Sequence, residues 1–144
     1  MSMTFNIDSG TPLTARVRGA SRDVAAGVNG ALRADYLGGP ISIENQTIDQ
    51  FFNTAAFAVP STGAFGTSFR NVIIGPGSKQ LDGQFSRDVR LGGNRTISIQ
   101  LRATNLLNLV NYTGVDTYVN SPTFGQVQNV RGMRSAQLNL RFRF

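Results

Sequence analysis

The chain has 144 residues, enough for one ordinary domain, with 40% hydrophobic residues and a formal net charge of +6. This is not the composition of a disordered chain, and the 13 Arg are scattered with no run of five, unlike the clustered footprint of a nucleic-acid binder. With no Cys and no His, disulfides, thiol nucleophiles and the commonest metal ligand and general base are excluded.

In chain order, the start MSMTFNIDSG has neither the basic nor the apolar region of a secretory signal peptide. It reads as a short strand over Met3–Ile7, closed by the turn cluster Asp8-Ser9-Gly10-Thr11-Pro12. Residues 11–78 show neither helix nor strand period. Their one apolar patch, QFFNTAAF (50–57), suits a short helical turn, and turn groups such as Gly38-Gly39-Pro40 and Gly75-Pro76-Gly77 punctuate the rest.

A second strand is predicted over about 79–91. Leu81, Phe85 and Val89 share one face, while Gln80, Asp82, Gln84, Ser86, Asp88 and Arg90 share the other. Arg87 breaks the apolar face near the end where a membrane interface would lie. Gly92-Gly93-Asn94 then supplies the positive φ angles of a tight hairpin turn. The third strand, RTISIQLRAT (95–104), alternates Ile97, Ile99, Leu101 and Ala103 with Thr96, Ser98, Gln100, Arg102 and Thr104. Residues 105–133 form a second long connection. The chain closes on SAQLNLRFRF, where Ala136, Leu138, Leu140, Phe142 and Phe144 alternate with Ser135, Gln137, Asn139, Arg141 and Arg143.

Two architectures fit such strands: a soluble antiparallel sheet with one wet face, or the wall of a transmembrane β-barrel. Strands of about ten residues suit a tilted bilayer span better than the soluble mean of about 5–6. Short turns at one end and long loops at the other are the asymmetry of outer-membrane barrels. The expectation is an all-β fold: an antiparallel meander of three to four long strands from the C-terminal end of a transmembrane β-barrel. Its parts would be a strand (1–10), a long extracellular loop (11–78), a β-hairpin (79–104), a loop (105–133) and a terminal strand (134–144). Arg90, Arg102, Arg141 and Arg143 would face the lumen, and Phe5, Phe142, Phe144 and Tyr112 are candidates for interfacial aromatic girdles.

No catalytic chemistry is legible. Asp82 and Asp88 share a face but lie about 20 Å apart at strand rise. GPGSK (75–79) lacks an earlier Gly that a phosphate loop requires. Asp23, Asp35, Glu44 and Asp49 carry oxygens for calcium, but their spacing fits no loop motif, and solvated loop charges account for them. The expectation is a non-enzyme without catalytic residues, metal or cofactor.

The motif series carries a resemblance. TIDQFFNTAAFAVPSTGAFGTSFRNVIIGPG (47–77), LDGQFSRDVRLGGNRTISIQLRATNLLNLVNY (81–112), SPTFGQV (121–127) and the closing RFRF resemble the region around the last three strands of Oar-like TonB-dependent receptors, as do SGTPLTARV and NGALRADYLGG nearer the start. Arg102, Asn105, Leu106 and Asn108 match that family's "R-x-E-x-x-N-L-x-N" close, with Thr104 where the family has an acid. The resemblance implies an outer-membrane transporter whose plug and TonB-contacting segment lie N-terminal to this region, so these residues alone would not be an energised transporter. It further implies that Leu138, Leu140, Phe142 and Phe144 form an alternating, aromatic-ended signal for the barrel-assembly machinery. The partners so implied are outer-membrane lipid, that machinery and, through the missing N-terminal regions, the TonB system. No nucleic acid is implied, and the ligand is not named. The remaining alternatives are a subunit of an oligomeric outer-membrane barrel and a soluble β-sandwich binding module.

Overall fold

Period-two sequence runs become strands that pair in phase. The structure, a computed structural model, describes residues 1–18 and 32–144, so Asp23 and the start of NGALRADYLGG lie outside the described residues. The strands among them are β1 (Ser2–Asp8), β2 (Pro12–Leu13), β3 (Asp35–Tyr36), β4 (Phe57–Ala58), β5 (Ile73–Ile74), β6 (Ser78–Gly92), β7 (Arg95–Thr104), β8 (Tyr112–Val115), β9 (Val127–Val130) and β10 (Ser135–Arg143). A 3-10 turn at Thr54–Ala56 interrupts them, within the patch expected to form a helical turn. The four long strands make one antiparallel sheet in the order β1-β6-β7-β10, and the short ones pair as β2-β5, β3-β4 and β8-β9.

The chain divides into two compact units. One comprises Met1–Ser9, Gly77–Asn111 and Val130–Phe144, the other Gly10–Pro76 and Tyr112–Asn129. The first holds the four-stranded sheet. Its hairpin turns at Gly93-Asn94, with Gly92 paired to Arg95. Positive φ falls on Gly92 (93°) and Gly93 (61°), not on Asn94. Glycine at the first central position is what a II′ turn requires, so Asn94 supplies no left-handed residue here. Between the Arg90–Thr96 and Gly92–Arg95 pairs, Leu91 is an extra residue, a β-bulge that the sequence does not announce.

At the other end of the sheet, asparagine side chains replace strand partners. The Asn111 amide donates to the Lys79 carbonyl (2.9 Å), and its oxygen accepts the Lys79 N–H (2.8 Å), as a neighbouring backbone would. Asn105, buried and left-handed at φ 50°, brackets Leu109 in the same way at 2.9 Å each, and its own N–H donates to Asp82. Asn108, at φ 53°, accepts from the Arg134 N–H. The asparagines of NLLN and VNY therefore cap and clip the chain as it leaves the strands. Asn tolerates the left-handed region and carries both a donor and an acceptor.

The second unit is where the hydrophobic core lies. The described residues of 10–76 and 112–129, expected as loops with one helical turn, fold around Ala15, Ala34, Phe51, Phe52, Ala56, Phe57, Ile73 and Val115, with Leu13, Tyr36, Ile41, Val72, Val119, Phe124 and Val127 packed against them. Phe52, Phe57 and Phe124 meet edge to face, Phe52 and Phe124 at 5.2 Å between centroids. QFFNTAAF and SPTFGQV thus converge. The Phe51 N–H also donates to the Gly125 carbonyl, and Gly125 takes φ 86° where a Cβ would stand 2.5 Å from Thr54 Cγ2. Gly66 of FGTSFR is held as closely, since a Cβ there would stand 1.9 Å from the Arg33 carbonyl oxygen. Ser68 is fully buried, donating its N–H to Ala34 while its carbonyl accepts from the Arg33 guanidinium.

Candidate membrane-facing surface

The registers put every apolar position of the four long strands on one face. Pairing β1 to β6 sets Met3 against Gly83, Phe5 against Leu81 and Ile7 against Lys79. Pairing β6 to β7 and β7 to β10 gives the rows Gly83–Ala103–Ala136, Phe85–Leu101–Leu138, Arg87–Ile99–Leu140 and Val89–Ile97–Phe142. A slip of one residue on any strand would have sent its apolar set to the opposite side. The opposite face carries Gln84–Arg102–Gln137, Ser86–Gln100–Asn139, Asp88–Ser98–Arg141 and Arg90–Thr96–Arg143.

All four arginines singled out in the sequence therefore lie on the polar face, Arg90 and Arg143 in the row nearest the turn. Arg141 and Arg143, with Asp88, Ser98, Gln100, Asn139 and Leu140, line a concavity. Leu138, Leu140 and Phe142 lie on the apolar face, with Phe142 stacked on Phe144 at 5.9 Å. Of the candidate girdle aromatics, Phe142 falls in the last apolar row at the turn end and Phe5 toward the opposite end. Tyr112 begins β8, outside the four long strands. Gly92, Gly93 and Asn94 form the turn end already described.

Neither face carries a core. Leu138 is 59% exposed, Leu140 67% and Phe5 56%, and the polar residues of β10 are exposed as well. A water-soluble sheet covers its apolar side, because each buried Leu or Phe is worth about 1.5–3 kcal/mol. Here the core is built by connections while a long sheet leaves about a dozen large apolar side chains bare. Val89 and Leu81, which bound the main apolar rows, are eight residues apart, about 26 Å along the strand. At a tilt of about 40° that is about 20 Å of height, close to the ~25 Å apolar band of an outer-membrane barrel.

A protein-family model described as "Outer membrane beta barrel domain" matches residues 1–137. The chain belongs to this family. No curated protein and no solved structure matches it. As an outer-membrane β-barrel domain it belongs in the outer membrane, and lipid is what such a domain sets against its apolar face. The four strands do not close on themselves. β1 and β10 are the edges of the sheet, so the segment is an arc of a barrel wall.

Among the described residues, no group of three or more acidic side chains is placed to hold a metal ion. Asp35, weighed as a calcium ligand, accepts the N–H and hydroxyl of Thr67 at 3.0 and 3.2 Å, which fixes the FGTSFR loop. The buried polar side chains Asn105, Asn111 and Ser68 were missed as a group by sequence reasoning. The one available signal was the recurrence of Asn where strands end.

Proposed function

We propose that the sheet is part of the wall of an Oar-like TonB-dependent receptor, an importer of scarce, bulky ligands. The observation that carries the membrane part is the in-phase sheet with a bare apolar face, a bare polar face and no core of its own. The receptor part is supported by the motif series. Its boxes are the residues that build the second unit and clip the sheet, namely FFNTAAF against SPTFGQV, and NLLN at the end of β7. In this reading the Gly93-Asn94 turn is periplasmic, and the connections 11–78 and 105–133 are the extracellular ones, which barrels keep long. Arg90, Arg102, Arg141 and Arg143 keep the lumen wet. Leu138, Leu140, Phe142 and Phe144 present the alternating pattern read by the barrel-assembly machinery. The plug and the TonB-contacting segment of such receptors supply energy coupling, ligand contacts come largely from the loops and the plug, and no catalytic step belongs to this segment.

The test is site-specific lipid contact. Trp is placed at Leu101 or at Gln100 in protein reconstituted into vesicles with brominated acyl chains. Quenching at position 101 but not at 100 is expected, whereas equal quenching would reject the wall assignment.

A second reading has one observation in its favour. β1 and β10 run in opposite directions, so identical copies set edge to edge continue the antiparallel order and can close a barrel from several four-stranded units. The mass of the detergent-extracted particle separates the two: a discrete multiple of this segment supports copies, a single larger chain supports the receptor.

A further inference from the structure

We infer that Arg87 and Arg95 bind the phosphate of an anionic phospholipid in the leaflet at the turn end of the sheet. The inference rests on the apolar face being the lipid face. Both residues belong to that face by strand parity, Arg87 between Phe85 and Val89 on β6, Arg95 two residues before Ile97 on β7. Both are exposed. Among the described residues, neither has an acid registered beside it on that face. Arg87 is registered against Ile99, which is registered in turn against Leu140, and Arg95 is registered against Gly92. Asp88, beside Arg87 in the chain, belongs to the opposite face with Ser98 and Arg141. Lys79 is the other cation of this face and sits at the far end, registered against Ile7.

A guanidinium set in an apolar face without a carboxylate calls for an anion from outside the chain. The row Val89–Ile97–Phe142 lies between the two arginines. Arg87 is one row, about 7 Å of strand, inside it, which a long side chain spans by reaching toward the headgroups. Arg95 stands just outside it, at the turn. A phosphate held there accepts the forked hydrogen bonds that guanidinium groups offer. The row between them is apolar, a wall for acyl chains and a poor surround for a free, fully hydrated phosphate ion. That favours a lipid as the source of the phosphate.

The test uses protein extracted from outer membranes in detergent, folding being checked by heat-modifiable mobility. The protein is titrated with phosphatidylglycerol, and bound lipid is counted by native mass spectrometry. Arg87→Leu combined with Arg95→Gln is expected to weaken lipid retention about tenfold. Arg134→Gln, outside the strands, should leave it unchanged. The double Lys variant, which keeps the charge but not the fork, should fall between the wild type and the Leu/Gln variant, and retention as poor as that variant's would count against the charge as the source of binding. Undiminished retention in the Leu/Gln variant would overturn the inference. So would displacement of the lipid by millimolar inorganic phosphate, which would make the ion the ligand. If position 101 contacts brominated lipid while retention does not change, this inference fails alone. If position 101 makes no contact, the lipid-face reading fails beneath it.

Discussion

Replacing Leu101 with Arg should cost the folded barrel about 2–4 kcal/mol, and the size follows from where the residue sits. Its row, Phe85–Leu101–Leu138, is four residues from the Val89–Ile97–Phe142 row on β6 and four from Leu81. Four residues are about 13 Å of strand, or about 10 Å of height at a tilt of about 40°, which puts Leu101 near the middle of a ~25 Å apolar band. An arginine on the lipid face costs about 2–4 kcal/mol at that depth and about 0–1 kcal/mol near an interface. Leu101→Arg should therefore lower the folding equilibrium constant by roughly 30- to 900-fold. Ile97→Arg, in the last apolar row, should lower it by less than about fivefold, and Gln100→Arg, on the polar face, hardly at all. Reversible urea unfolding in lipid vesicles, followed by fluorescence, measures all three on one scale. Equal costs at positions 101 and 97 would refute the depth assignment, and a larger cost at position 100 than at 101 would mean the faces are reversed.

Three further outcomes concern the second unit. Phe52 is only 2% exposed and edge-packed on Phe57 and Phe124, so Phe52→Ala should destabilise that unit by about 3–5 kcal/mol; amide exchange across residues 51–57 and 124–127 should accelerate accordingly, and unchanged protection would contradict the packing. Gly125→Ala meets both a left-handed φ and Thr54 Cγ2, so it should cost at least about 1–2 kcal/mol. Adding Thr54→Ser, which removes that methyl, should recover the clash but not the strain; full recovery would show that φ 86° is not strained for Ala. Burial pushes the Asp116 carboxyl up, but the Ser121 hydroxyl, the Tyr118 N–H, the Thr123 hydroxyl and the Arg18 charge together hold it below the usual carboxylate range. A depressed folded value means its contribution is complete above about pH 5. It is lost as the pH falls below the unfolded value of about 3.9 and through the lower folded one. Amide protection factors in residues 116–126, each corrected for the intrinsic exchange rate at that pH, should fall as the pH drops below about 4, and Asp116→Asn should flatten that response; an identical profile in the variant would remove Asp116 from the account.

The sheet was legible because period two is a local signal. RTISIQLRAT and SAQLNLRFRF each declare their faces within ten residues, and β7 runs from Arg95 to Thr104 as read. The Leu91 bulge and the φ signs at Gly92 and Gly93 were not legible, since composition marks a turn without saying which residue takes which conformation. The second unit was the larger omission. Its core draws single residues from distant places: Ala15 and Ala34 lie outside the strands, Ile73 on a two-residue strand and Val115 at the end of a four-residue one, both too short to show a period. Only Phe51, Phe52 and Phe57 stood out, as an apolar patch whose partner Phe124 lies more than sixty residues away. The four arginines could be assigned to one face from alternation alone. What each row sets beside them depended on the register, which long connections do not fix in sequence.

The core's location has a consequence for how this chain can change. Phe52, Ile73 and their neighbours answer to the rules of water-soluble packing, in which volume and shape decide. The apolar face of the sheet answers to a fluid that accepts almost any hydrocarbon outline. The two units are joined by four peptide bonds, at Ser9–Gly10, Pro76–Gly77, Asn111–Tyr112 and Asn129–Val130. Leucine, isoleucine and phenylalanine can therefore drift into one another along β7 and β10 with little penalty, while a single methyl beside Gly125 is felt. Substitutions in the strands test polarity, and substitutions between them test fit.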